Sequence, residues 1–269
     1  MHPRVCLHQV AFMAETTAAF VEFCCSIGVQ HCTLVTPKLE QPREQETARK
    51  ALAETGVKPG CINHPFAMRP DLESDSGGAT KGLLQAIDMA ADIGAPSIYL
   101  VTGGRGALSW EQAADRFAEL IAPCREAAQQ KGVALLVENA SALNVDIHIA
   151  HTLPDTTRLA RAAGIGVCID IQPCWMEAGL KENMAEAMPL TGLVQVSDYV
   201  LGDRTAPNRA VPGDGAVPLE RIIGDILNLG SAGLFDLELV GPRIEQEGAQ
   251  AASKRAVDYL SNLLTKLGA

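Results

Sequence analysis

Short aliphatic runs alternate with longer stretches whose apolar residues recur every three or four positions, and this alternation repeats along the whole chain. The runs predict strands and the stretches predict amphipathic helices. In the first half, strands are expected at Arg4–Val10, Gln30–Val35, Val57–Asn63 and Ser97–Val101. Helices are expected at Ala14–Ile27, Arg43–Glu54 and Ala79–Ile93, and another opens at Ser109, a suitable N-cap. The first of these buries Phe20, Phe23, Cys24 and Ile27; the last buries Ala113, Phe117, Leu120, Ile121 and Cys124.

The second half reads more clearly. Strands are expected at Val133–Glu138, Ile165–Asp170, Leu193–Ser197 and Leu234–Leu239, with helices at Asp155–Ala163, Glu177–Ala187, Leu219–Asn228 and Glu245–Leu267. Gly132, Gly164, Gly192 and Gly233 stand just before strands, where helices end in left-handed caps. Eight strand–helix units without a long linker predict an α/β chain forming one (β/α)8 (TIM) barrel domain over residues 1–269. An open doubly wound sheet is the competing fold, because alternation alone does not prove closure.

Composition narrows the function classes. A chain of 269 residues, 47% hydrophobic, is long enough for a large core, and its net charge of −10 disfavours a phosphate backbone as partner. No stretch of 18 uncharged apolar residues occurs and no apolar leader follows Met1, so neither a membrane span nor a signal peptide is expected. The eight cysteines form no C-x-x-C pair and mostly sit in apolar runs, which suits free thiols in a reducing cytoplasm.

In a barrel of this kind the C-terminal strand ends converge on one pocket. Strand five ends in Leu136-Val137-Glu138 and strand six in Cys168-Ile169-Asp170. Strand seven carries Gln195, and strand eight carries Glu238 within Asp236-Leu237-Glu238-Leu239. Single acids at strand ends are commonly helix caps or ion-pair partners. Three carboxylates aimed into one mouth repel each other and call for a cation between them. The donors are all oxygens, which suits Mg²⁺ or Mn²⁺ better than zinc.

These positions resemble the xylose isomerase-like barrel superfamily, the sugar phosphate isomerases and epimerases. The carrying residues are Glu138, Asp170, Gln195 three places before Asp198, and Glu238. The run Arg209-Ala210-Val211-Pro212-Gly213-Asp214-Gly215 is similar to the hydroxypyruvate isomerase branch, where Gln replaces the commoner His ligand and an Arg precedes Pro-Gly-x-Gly. The fold likeness spans nearly the whole chain, while the specific motifs lie within about residues 133–243.

The resemblance implies one divalent metal held by Glu138, Asp170, Gln195 and Glu238, with Glu138 and Glu238 moving a proton through a metal-stabilised enediolate. It implies an isomerase or epimerase of a sugar, keto-sugar or small hydroxy-keto acid. A dehydratase of the dehydroshikimate dehydratase type, which also uses Gln, is the alternative; a non-catalytic barrel binding a metal or sugar acid is the third reading. Family members are often dimers or tetramers, which leaves a homo-oligomer open. The endonuclease branch needs a set of metal-binding histidines that this chain lacks, so a DNA-repair role is not expected.

Two departures bear on the substrate rather than the metal. Pro173 stands where many members carry a His, and Asn139-Ala140 follows Glu138 in place of Pro-Leu. Candidate substrate contacts are Arg209, as a fork for a carboxylate or phosphate, with His64, His8, Trp175, Asp198 and Arg243. Arg105 in Gly103-Gly104-Arg105-Gly106 is expected in a flexible loop, and His148 and His151 are expected to be solvated or part of a lid.

Overall fold

The structure, a computed structural model, describes Met1–Ala269. Its strands are β1 (Val5–His8), β2 (His31–Val35), β3 (Lys58–Ala67), β4 (Ser97–Gly103), β5 (Ala134–Glu138), β6 (Gly166–Asp170), β7 (Thr191–Val196) and β8 (Leu234–Leu237). They form a closed barrel in sequence order, β1 through β8. The expected (β/α)8 fold is what the chain adopts, and closure excludes the open sheet.

The helices are α1 (Thr17–Ser26), α2 (Thr36–Leu39), α3 (Pro42–Thr55), α4 (Gly78–Ile93), α5 (Trp110–Lys131), α6 (Leu153–Ala163), α7 (Ile171–Cys174), α8 (Leu180–Ala187), α9 (Leu219–Asn228), α10 (Pro242–Glu247) and α11 (Ala249–Leu267). By contact density the chain divides into two compact units, Cys61–Gly192 and the pair of segments Met1–Gly60 with Leu193–Ala269. In the first unit, α5 opens on a capping box in which the Ser109 hydroxyl accepts from Gln112 N and the Gln112 side chain accepts from Ser109 N. Phe117, Ile121 and Cys124 of that helix are fully buried. In the second, Ile222, Ile223 and Ile226 of α9 and Ala256, Leu260 and Leu264 of α11 are fully buried.

Several boundaries differ from expectation. Gly132 and Gly164 do end helices in left-handed conformation, but Gly192 and Gly233 do not. Gly192 lies inside β7, where an added β-carbon would stand 2.9 Å from Leu136 Cδ2, so it serves close approach rather than chain reversal. The expected last helix is broken at Gly248, whose φ of 92° no helix accommodates, giving α10 and α11. The helix expected from Glu177 starts only at Leu180, after the short α7. None of the eight cysteines is in a disulfide, and only Cys25 is exposed. No helix is long and apolar enough to cross a membrane.

Candidate metal centre at the strand ends

Residues paired across neighbouring parallel strands share a face, and faces alternate along each strand. In the unit Cys61–Gly192, the register pairs Asn63 with Tyr99, Tyr99 with Leu136, Leu136 with Gly166, and Glu138 with Cys168. Glu138 and Asp170 therefore share a face, and both are buried. His64 pairs with Leu100 and falls on the opposite face. Its ring lies 3.9 Å from the β-position of Gly82 on α4, and burial lowers its pKa to about 4. His64 was expected at the mouth, at the end of β3; the strand runs on past Asn63 to Ala67, and the alternation turns His64 toward α4.

Asn139 locks the two strand ends together. Its Nδ2 donates to Asp170 O at 2.8 Å, and its Oδ1 accepts from Asp170 N at 2.8 Å. Asp170 Oδ1 in turn accepts from Gln172 N at 3.1 Å. Asn139→Ala is expected to leave two buried backbone groups of Asp170 without partners, costing about 3 kcal/mol of stability. Divalent-metal affinity should fall about tenfold with it. Urea unfolding and a Mn²⁺ titration check both, and no change in either contradicts the clamp.

In the other unit, the register pairs Cys6 with His31, His8 with Thr33, Cys6 with Asp236, and Gln195 with Asp236. His8, Gln195 and Asp236 thus share a face. Gln195 is fully buried, and neither its Oε1 nor its Nε2 has a hydrogen-bond partner. Arg209 Nη1 donates to Ser197 Oγ at 3.0 Å, and its Nη2 lies 2.5 Å from Glu238 Oε2. His8 Nδ1 accepts from Val10 N at 2.9 Å. Burial, and then the charge of Arg209, lower the His8 pKa to about 3. It is neutral at pH 7, with its proton on Nε2.

Asp198 departs from the expected substrate contact. Its Oδ1 accepts from Tyr199 N and Val217 N, and its Oδ2 from Gly213 N and Gly215 N, at 2.8–3.0 Å. Backbone hydrogen bonds in both directions also tie Asp198 to Ala210 at 2.9 Å. The carboxylate is consumed in bracing the loop that follows β7, and Arg209 is presented from that loop. Arg243 is half exposed and pairs with Asp203 at 3.0 Å, so it too lies outside the cluster. Trp175, half-buried, closes α7, its backbone N–H donating to Ile171 O at 2.9 Å.

His148 is buried rather than solvated. Its Nδ1 accepts from Ile149 N at 3.1 Å and Ala150 N at 3.3 Å and lies 2.9 Å from Thr102 Oγ1. The loop after β5 folds back onto β4, with Gly103 N donating to Ile147 O at 2.9 Å. Burial, then the neighbouring His151, lower its pKa to about 3. His151 is half-buried and its Nδ1 donates to Ala140 O at 3.2 Å.

Asp236 was not singled out from the sequence. It is fully buried, and its pKa is pushed up to about 7, first by desolvation and then by the charge of Glu238. Two-residue alternation from Leu234 along β8 was the available signal, and the register pairs Asp236 with Gln195.

Glu138, Asp170 and Glu238 each offer a carboxylate oxygen, and these oxygens lie within 4.8 Å of one another. That spacing matches donors around a single cation, and the chemistry of the set is hard oxygen throughout. The partnerless amide of Gln195 adds a further oxygen that nothing in the chain satisfies.

The chain belongs to the xylose isomerase-like TIM barrel family, whose profile matches residues 12–263. Among solved structures it resembles the IolI protein with a bound zinc atom, at TM-score 0.82 and 16% identity over 98% of this chain and 99% of that one. It resembles D-psicose 3-epimerase with D-tagatose from Clostridium cellulolyticum H10, at TM-score 0.79 and 13% identity over 97% and 99%. A third similar structure is the probable 3-DHS dehydratase AsbF from Bacillus anthracis, at TM-score 0.77 and 15% identity over 96% and 99%. At such identities the likeness is one of fold. No curated protein sequence matches the chain significantly.

Proposed function

We propose that this chain is a divalent-metal-dependent isomerase or epimerase of a sugar, keto-sugar or small hydroxy-keto acid. The observation that carries the reading is the convergence of Glu138, Asp170 and Glu238 within 4.8 Å. The partnerless amide of Gln195 supports it, because a buried amide without hydrogen bonds is costly unless something binds it. Residues Glu138, Asp170, Gln195 and Glu238 would hold the ion, and their oxygens favour Mn²⁺ or Mg²⁺. When bound, such an ion would supply Lewis-acid chemistry that acidifies the C–H beside a substrate carbonyl.

The chain's own groups do the rest. Glu138 and Glu238 take the proton from one carbon and return it to the neighbouring carbon or to the opposite face. Arg209, anchored on Ser197 and Glu238, orients the Glu238 carboxylate and offers its fork to an anionic substrate group. Neutral His8 offers Nε2–H to a substrate hydroxyl. Trp175 walls the pocket. The epimerase neighbour supports this reading and the dehydratase neighbour supports the lyase alternative, in which the same carbanion expels a β-hydroxyl. Eight cysteines without a disulfide fit a cytoplasmic enzyme.

The test is turnover of a panel of keto-sugars and hydroxy-keto acids in D₂O, before and after chelation and metal return. Activity should vanish on chelation and return with Mn²⁺ or Mg²⁺, with deuterium entering recovered substrate and no water lost. Release of an unsaturated product would favour the lyase. Metal binding without turnover across the panel would favour the non-catalytic binder, and full activity after chelation would remove the metal from the account.

A further inference from the structure

The interior layer formed by β1, β2, β7 and β8 contains a carboxylate that the proposed chemistry does not use. Asp236 pairs in register with Gln195 on one side and Cys6 on the other, all three being fully buried. One layer lower the same positions of β7 and β8 are Leu193 and Leu234, which shows what merely filling this space requires. Thr33 and Cys6 lie alongside Asp236, but neither completes a well-formed hydrogen bond to its oxygens. Beside it stands Gln195, with both amide atoms likewise unpartnered.

Two buried orphans in adjacent register positions are complementary. An amide can turn either Oε1 or Nε2 toward a cation, and only Oε1 binds one. A carboxylate beside the amide in register biases the choice, since it accepts from Nε2–H and repels Oε1. The two groups stand side by side in register without a hydrogen bond between them; we propose that Asp236 is the positioning residue for Gln195, taking up its Nε2–H when a cation binds and so directing Oε1 to that cation. The inference rests on the metal reading above and adds to it a residue that touches neither ion nor substrate. It also accounts for a carboxylate where an aliphatic side chain would fold more comfortably.

The test measures Mn²⁺ affinity of the whole chain by counting free ion with EPR, together with the melting temperature of the metal-free protein. Asp236→Leu should bind Mn²⁺ about 10–100-fold more weakly, yet melt at or above the wild-type temperature, because an unsatisfied buried acid is gone. Asp236→Asn keeps an acceptor for Nε2–H and should stay within about threefold of wild type. If Asp236→Leu does not fold, the same-shaped pair Asp236→Thr and Asp236→Val carries the comparison, with Thr the tighter binder. Equal affinity in wild type and Asp236→Leu, or in the Thr and Val variants, overturns the inference alone. No Mn²⁺ binding by wild type overturns the metal reading and the inference with it.

Discussion

Glu138→Gln is expected to lower kcat by about 10³-fold or more while the protein stays folded. Glutamine matches glutamate in shape and keeps a carbonyl oxygen for the cation, so metal affinity should fall far less than turnover. What it removes is the ability to take and return a proton at the face shared with Asp170. Glu238→Gln should be at least as damaging, because it also takes away the carboxylate against Arg209 Nη2. A released Arg209 no longer has a fixed fork, so KM should rise in that variant and not in Glu138→Gln. Steady-state kinetics on a substrate found by the panel decides the matter. A Glu138→Gln enzyme within tenfold of wild type would mean the proton moves elsewhere.

Acidification should destabilise the fold well above the pH at which ordinary carboxylates protonate. His8 and His148 have folded pKa values of about 3, and His64 of about 4, against 6.5 in the unfolded chain. Between those limits the unfolded state binds more protons, so stability drops as pH falls below 6.5. At pH 5 each histidine costs about 2 kcal/mol relative to pH 7. Asp236 works the other way: its folded pKa of about 7 exceeds its unfolded value, so protonation favours the native state and returns about 2 kcal/mol. A net loss of about 4 kcal/mol is expected, large beside a usual total of roughly 5–15 kcal/mol. Urea unfolding at pH 7, 6 and 5 measures it. His148→Asn, whose Oδ1 can accept where Nδ1 did, should flatten the profile, and a wild-type profile flat from pH 7 to 5 would contradict it.

The fold was legible because parallel strands covered on both sides write themselves as unbroken aliphatic runs. Runs such as Val133–Glu138 and Ile165–Asp170 also announce their ends, since an acid follows the last apolar residue. That makes Glu138, Asp170 and Glu238 visible as a group in the sequence alone. What stayed hidden depends on contacts distant in sequence. His64 required the register of β3 on β4, and the strand extends four residues past Asn63 to Ala67. Asn139 looked like a substrate-side departure from a motif, whereas its amide is spent on the backbone of Asp170, 31 residues away. Asp198 sits within the motif but faces the glycine turn it braces, 15 to 19 residues on. Arg243 found Asp203 across a loop that periodicity does not describe.

The central claim is that side chains from β5, β6, β7 and the end of β8 hold a common ion. An anomalous-difference map from a crystal soaked in Mn²⁺, recorded near the manganese edge, tests it most directly. One strong peak is predicted, roughly 2.0–2.4 Å from oxygens of Glu138, Asp170, Gln195 and Glu238. No peak there, with Glu238 still held by Arg209 and the Gln195 amide turned away, would contradict it.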